Sequence, residues 1–182
     1  MQQGLKIAIS GKSGSGNTTV SKLLAQTLGL RMINYTFRNL AAERNMDFGE
    51  LRMLAEADPS WDRYLDEKQV ELASAGNCVL GSRLAIWILK DAELKVYLKG
   101  SPEVRASRIL EREQREGTGR CLAEIATETA DRDVRDRERY LKLYGIDNDD
   151  YSFADLIIDV TKRYPEMILE DIIYALRIKK LL

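Results

Sequence analysis

The chain has no histidine, only two cysteines and only three prolines among its 182 residues. Without imidazole, a Ser-His-Asp triad, a Cys-His dyad and any histidine-ligated metal centre are excluded. Cys78 and Cys121 lie far apart and lack Cys-x-x-Cys spacing. Neither a disulfide framework nor a zinc site is indicated, and two reduced thiols in a cytoplasmic protein are expected. No apolar run approaches the roughly 18 residues of a membrane span, and strand-like sequence begins almost at once, so neither membrane insertion nor secretion is expected. A net charge of −1 provides no global field toward nucleic acid or a membrane surface, so any basic site must be local.

What is present suits one domain over residues 1–182: 45% apolar and 31% charged residues, enough to bury a core without cross-links. Its organising stretch is Gly11-Lys12-Ser13-Gly14-Ser15-Gly16-Asn17-Thr18-Thr19. Leu5 to Ser10 before it reads as a buried strand, and Val20, Leu23, Leu24 and Leu28 after it recur at helical spacing. Strand, glycine-rich loop and helix form the context of a phosphate-binding loop, in which backbone N–H groups and the helix dipole face phosphate oxygens. In the pattern G-x-x-x-x-G-K-S/T, Thr18 stands where a hydroxyl meets Mg2+, but the lysine before it is replaced by Asn17. A neutral amide does not offset phosphate charge. Lys12, from the same loop, is a candidate substitute, with a solvated surface lysine as the alternative.

Further along, Arg31–Tyr35 reads as a short strand. Helical patterns follow from Thr36, from Met46 to Ala57 and from Trp61 to Ser74, the last with Leu65, Val70 and Leu72 inward and Ser60 as its cap. Cys78–Ser82, Leu94–Leu98 and Asp155–Val160 are further strands. Helices are expected at Leu84–Leu89, Pro102 to about Glu113, Cys121–Tyr144 and from Pro165 onward, with a flexible break at Gly117-Thr118-Gly119. Five strands separated by helices predict an α/β protein: a five-stranded parallel sheet with helices on both faces, of P-loop NTPase type. Ligands then bind beyond the carboxyl ends of the strands.

Between residues 105 and 139 the chain places nine arginines and no lysine. Arginine suits bidentate phosphate recognition. Arg105, Arg108, Arg112 and Arg115 fall at three- and four-residue steps on one helix face, as in a lid closing over a triphosphate. The alternative is a solvated face, paired with acids that include Glu111, Glu113, Glu116, Asp131, Asp133, Asp136 and Glu138.

The phosphate-binding loop, Phe37-Arg38, Arg83, the arginine-rich helix, the string Arg132-Asp133-Val134-Arg135-Asp136-Arg137-Glu138-Arg139-Tyr140 and Tyr144-Gly145-Ile146-Asp147 together resemble the cytidylate kinases, most closely the archaeal type, over nearly the whole length. In that subfamily a threonine often replaces the loop lysine. The resemblance implies ATP on Gly11–Thr19 with Mg2+ at Thr18, and Lys12, Asn17, Arg108 and Arg112, or Arg115 in its place, around the transferring group. It implies Arg38 and Arg83 on the acceptor phosphate, Arg132 and Arg139 on the acceptor, and Asp136 on its ribose. It further implies an acceptor-binding insert at about 35–75, a lid at about 108–122 and a monomeric protein acting on ATP and CMP or dCMP, with no nucleic-acid or membrane partner. Where the family commonly reads Glu-Gly-Arg or Asp-Gly-Arg, this chain has Gly81-Ser82-Arg83, and Asp91 and Asp159 are possible stand-ins for the acid. Two other readings remain: a P-loop kinase for another small acceptor, and a nucleotide-binding regulatory module with little turnover.

Overall fold

A computed structural model describes residues 4–115, 117 and 119–182, with Glu56 described by its backbone alone. Glu116 and Thr118, named above as a pairing acid and as part of a flexible break, lie outside the described residues. The elements run β1 (Lys6–Ser10), α1 (Asn17–Leu28), β2 (Arg31–Ile33), α2 (Phe37–Glu43), α3 (Phe48–Ala57), α4 (Ser60–Ser74), β3 (Cys78–Gly81), α5 (Ala85–Ile88), β4 (Leu94–Lys99), α6 (Pro102–Arg115), α7 (Leu122–Tyr144), β5 (Leu156–Asp159) and α8 (Pro165–Ile178).

The five strands form one parallel sheet in the order β2-β3-β1-β4-β5. β1 is central and buried along its whole length, which is why its apolar residues run consecutively instead of alternating with polar ones. Its side chains still point to alternate faces. Ile7 and Ile9 pack with Val20 and Leu24 of α1 and with Ile168, Ile172 and Leu176 of α8. Ala8 faces the other layer, with Ala73 of α4 and Ala85, Ile86 and Leu89 in and after α5. Two smaller cores lie outside the sheet. One holds the α2–α4 insert together through Leu40, Ala41 and Leu51, and the other joins α6 to α7 through Ala106, Ile109 and Ile125.

Two local expectations are corrected. The α4 side chains that are fully buried are Asp62, Gln69 and Ala73, whereas Leu65, Val70 and Leu72 are only partly covered: the first turns of α4 pack Trp61 and Tyr64 on the insert's own small core, and its end packs Leu72 and Ala73 toward the sheet. Ser60 is the first residue of α4, not its cap. The Asp58 carboxylate accepts from the Ser60 N–H at 2.9 Å and from its hydroxyl at 2.7 Å, two bonds that hold its pKa below the ordinary carboxylate value.

Candidate active site

A cleft of about 1250 Å³ runs along the carboxyl edge of the sheet. Parallel strands bring their ends to the same edge, so segments distant in sequence meet there: Gly11–Val20 after β1, Asn34–Phe37 after β2, Gly81–Leu84 at β3, one face of α6, and Thr161–Pro165 after β5.

The loop after β1 is held in shape from below. At Gly14, φ is +81°, and an added Cβ would lie 2.4 Å from the carbonyl oxygen of Arg105, so glycine is required both by conformation and by this close approach. Arg105, almost fully buried, donates to the Ser13 carbonyl at 3.2 Å and bidentately to Asp133 at 3.2 and 2.6 Å. It is thus a strut beneath the loop. Only Arg108, Arg112 and Arg115 of the expected four-arginine face line the cleft.

Asn17 turns back into the loop. Its Nδ2 donates to the Gly11 carbonyl at 2.7 Å, and its Oδ1 accepts from the Ser15 hydroxyl at 3.0 Å. Lys12 lines the cleft while its ammonium pairs with Asp149 at 2.6 Å and lies 3.9 Å from Asp133. The loop's own cation is therefore tied to the segment that follows α7. Thr18 and Thr19, in the first turn of α1, are exposed and line the cleft. Among the described residues the Thr18 hydroxyl has no hydrogen bond, and no group of three acids gathers to hold a metal. A lone hard oxygen donor fits Mg2+ of the kind held mostly by substrate phosphates and water.

Beside the loop, Arg83 donates to the Ser13 hydroxyl at 2.8 Å and to Asp136 at 2.6 Å. Asp136 also accepts from Arg139 at 3.2 Å, and Arg139 lies 3.4 Å from Asp62. Ser13, Arg83, Asp136, Arg139 and Asp62 therefore form a continuous chain from the phosphate-binding loop to α4. The carboxylates fix the guanidinium planes without cancelling them, since both arginines remain partly exposed. Arg108 donates to the carbonyls of Val160 and Arg163 at 2.8 and 3.3 Å, tying α6 to the segment after β5.

Two expected acceptor contacts lie elsewhere. Arg38 is exposed and stacks over the Phe48 ring at 4.4 Å, and Arg132 pairs with Glu128 one turn earlier on α7 at 3.4 Å. Neither lines the cleft, and neither does Asp136, the expected ribose contact, whose two carboxylate oxygens accept from Arg83 and Arg139. Asp91 is corrected as a stand-in for the absent acid: it binds the Lys6 ammonium at 2.6 Å at the amino end of β1, on the opposite edge of the sheet. Asp159 ends β5, and its carboxylate accepts from the Thr161 N–H at 2.9 Å.

Among the cleft residues that the sequence motifs do not mark are Asp62, Asp66 and Gln69. Their spacing of four and three residues places them on one face of α4, and a polar stripe at helical period beside an apolar one was the available signal. Burial raises the pKa of Asp62 against the pull of Arg139. Burial also pushes the Asp66 carboxyl up to about 6, opposed by the Tyr144 hydroxyl that donates to it at 2.7 Å.

The described fold is shared with kinases of small molecules. Shikimate kinase from Bacteroides thetaiotaomicron superposes with a TM-score of 0.61 at 18% identity, covering 95% of this chain and 98% of that one. Deoxyadenosine kinase from M. mycoides with bound dCTP gives a TM-score of 0.56 at 18% identity, covering 95% and 99%. At the level of sequence, cytidylate kinase 2 of Borreliella afzelii is 50% identical over 161 residues, 86% of this chain and 88% of that protein. The cytidylate kinase of Archaeoglobus fulgidus is 41% identical over 180 residues, 97% of each. The family described as "Cytidylate kinase-like family" matches residues 6–162, a span that runs from β1 past β5 and takes in the loop, the insert and both arginine groups. With most of its length matched in this way, the chain belongs to the cytidylate kinase-like family.

Proposed function

We propose that this protein transfers the γ-phosphate of ATP to CMP, and also to dCMP, giving CDP or dCDP and ADP. The observation that carries the reading is that one cleft is lined both by Gly11–Thr19 and by Arg83 and Arg139, with Arg112 and Arg115 from α6 alongside. One wall offers backbone amides and a helix N-terminus to a triphosphate, and the other offers guanidinium groups to a second anion. One chain lines both walls, in keeping with action as a monomer.

In this reaction an oxygen of the acceptor phosphate attacks the γ-phosphorus in line. The new P–O bond forms as the bond from the γ-phosphorus to the β,γ-bridging oxygen breaks, and ADP departs with that electron pair. The acceptor oxygen is already ionised, so no general base is needed, which accords with a chain free of histidine. The protein's task is alignment and charge neutralisation. Arg83, braced by Asp136 and Ser13, holds the acceptor phosphate. Arg139 binds the acceptor beside it, Asp136 orients both guanidinium groups, and Arg108, Arg112 and Arg115 carry the cationic face of α6 over the transferring group. Mg2+, when bound, would supply charge neutralisation to the transferring phosphates, and the Thr18 hydroxyl is the side chain that would hold it.

ADP release measured with CMP, dCMP, UMP and AMP tests the reading. CMP and dCMP are expected to stimulate it most, and no stimulation by any of the four would overturn it.

A further inference from the structure

The cleft contains two hydrogen-bond acceptors that the phosphoryl-transfer machinery does not use. Gln69 is 3% exposed, and its Nε2 donates to the Tyr35 carbonyl at 3.0 Å. A carbonyl only accepts, so this bond fixes which way the amide faces. The other amide atom, Oε1, is left as a buried acceptor with no partner among the described residues. Buried acceptors are rarely left unmet, and one lining a binding cleft points to a donor on the ligand. One turn earlier on α4, Asp66 lines the same cleft. Its Oδ2 accepts from the Tyr144 hydroxyl at 2.7 Å, and among the described residues its Oδ1 has no hydrogen bond.

We propose that Asp66 and Gln69 read the 4-amino group of cytosine, its two N–H donors meeting the two acceptors, and that this pair excludes uracil. The inference rests on the nucleoside monophosphate kinase reading above and goes beyond it by assigning base choice to named side chains. The surroundings suit a flat heterocycle, since Tyr35 and Phe37 line the cleft beside α4. The site is also joined to the phosphate end: Asp62, one turn before Asp66, lies 3.4 Å from Arg139, which shares Asp136 with Arg83. A pyrimidine nucleotide with its phosphate at Arg83 thus extends its base toward α4. Cytosine offers N–H groups at position 4, a recognised match for a carboxylate, whereas uracil presents a carbonyl oxygen that would face two acceptors. Sites built to bond a substrate N–H reject analogues lacking it far more strongly than sites that sort by shape.

The test compares kcat and KM for CMP and UMP in the wild type, Asp66→Asn and Gln69→Met, with thermal melts to verify folding. In Asp66→Asn the side-chain oxygen still accepts from Tyr144, and the new amide donates toward the base. The CMP-to-UMP ratio of kcat/KM is expected to fall at least about tenfold, through a gain on UMP as well as a loss on CMP. Gln69→Met is expected to lose on CMP alone. The unaltered protein gives a control that needs no variant: the pyrimidin-2-one ribonucleotide, which has no substituent at position 4, should be a poorer acceptor than CMP and a better one than UMP. A ratio unchanged within about twofold in folded variants, or a pyrimidin-2-one nucleotide as good as CMP, would overturn the assignment while leaving the kinase reading in place. Failure of the wild type on both CMP and UMP would overturn the kinase reading itself, and this inference with it.

Discussion

The Cβ that Gly81 lacks would lie 2.4 Å from the hydroxyl oxygen of Ser21 and 2.8 Å from its Cβ. Ser21 is fully buried on α1, and its hydroxyl has no hydrogen-bond partner among the described residues. Gly81 ends β3, at the position where the resemblance to the cytidylate kinases leads one to expect an acid. α1 approaches β3 so closely here that a side chain at position 81 does not fit between them.

That contact predicts strong coupling between positions 21 and 81. Gly81→Ala is expected to destabilise the protein by about 1–3 kcal/mol through overpacking. Adding Ser21→Gly opens the space, so the double variant should be more stable than the two single losses summed, by about 1 kcal/mol or more. Denaturant melts of the four proteins measure the coupling, and strict additivity would contradict the packing account.

Asn17 fastens the phosphate-binding loop to itself through Gly11 and Ser15. Asn17→Ala removes two hydrogen bonds, together worth about 1–3 kcal/mol, and the loosened amides should bind ATP less well. A rise of about tenfold in KM for ATP is expected, read from ADP release at saturating CMP. An unchanged KM would show that the loop keeps its shape without this clasp.

Arg83 and Arg132 were both expected at the acceptor, and the fold separates them. Arg83→Ala takes away a cleft-facing guanidinium and leaves Asp136 paired with Arg139 alone, a loss of about 3 kcal/mol, so kcat/KM for CMP should fall by about 10²-fold. Arg132→Ala breaks a half-exposed pair with Glu128 on the same helix, worth about 0–1 kcal/mol. Its effect should stay within about fivefold. Comparable losses in the two variants would return Arg132 to the site.

Asp66 carries a stability prediction with a definite sign. Its folded-state pKa of about 6 lies above the ordinary carboxylate value, so the folded protein takes up a proton where the unfolded chain does not. The contribution of Asp66 to stability is expected to fall as pH rises through the interval from about 4 to about 6 and to stay lower above it. Asp66→Asn, which carries no charge, should be more stable than the wild type at pH 8 by about 1–3 kcal/mol, with the advantage gone near pH 4. Parallel melts across that range provide the check. A gain at every pH, acid included, would mean that charge burial is not its source.

Sequence alone carries the layered α/β class and the phosphate-binding loop, because both are written locally. Buried strands appear as consecutive apolar residues, helices as three- and four-residue recurrence, and the loop as glycines between the two. It also determined that histidine chemistry is absent. The same local code placed Arg105, Arg108, Arg112 and Arg115 on one face but did not tell a strut from a phosphate ligand. That distinction depends on Asp133 and the Ser13 carbonyl, which the fold alone brings to Arg105. Tertiary packing likewise decided that Asn17 closes on the loop, that Lys12 is held by Asp149, that Arg132 faces Glu128, and that α4 turns Asp62, Asp66 and Gln69 inward. A charged or amide side chain takes its role from whichever partner lies within about 3 Å, and such partners are set by how helices dock on the sheet, not by spacing along one element.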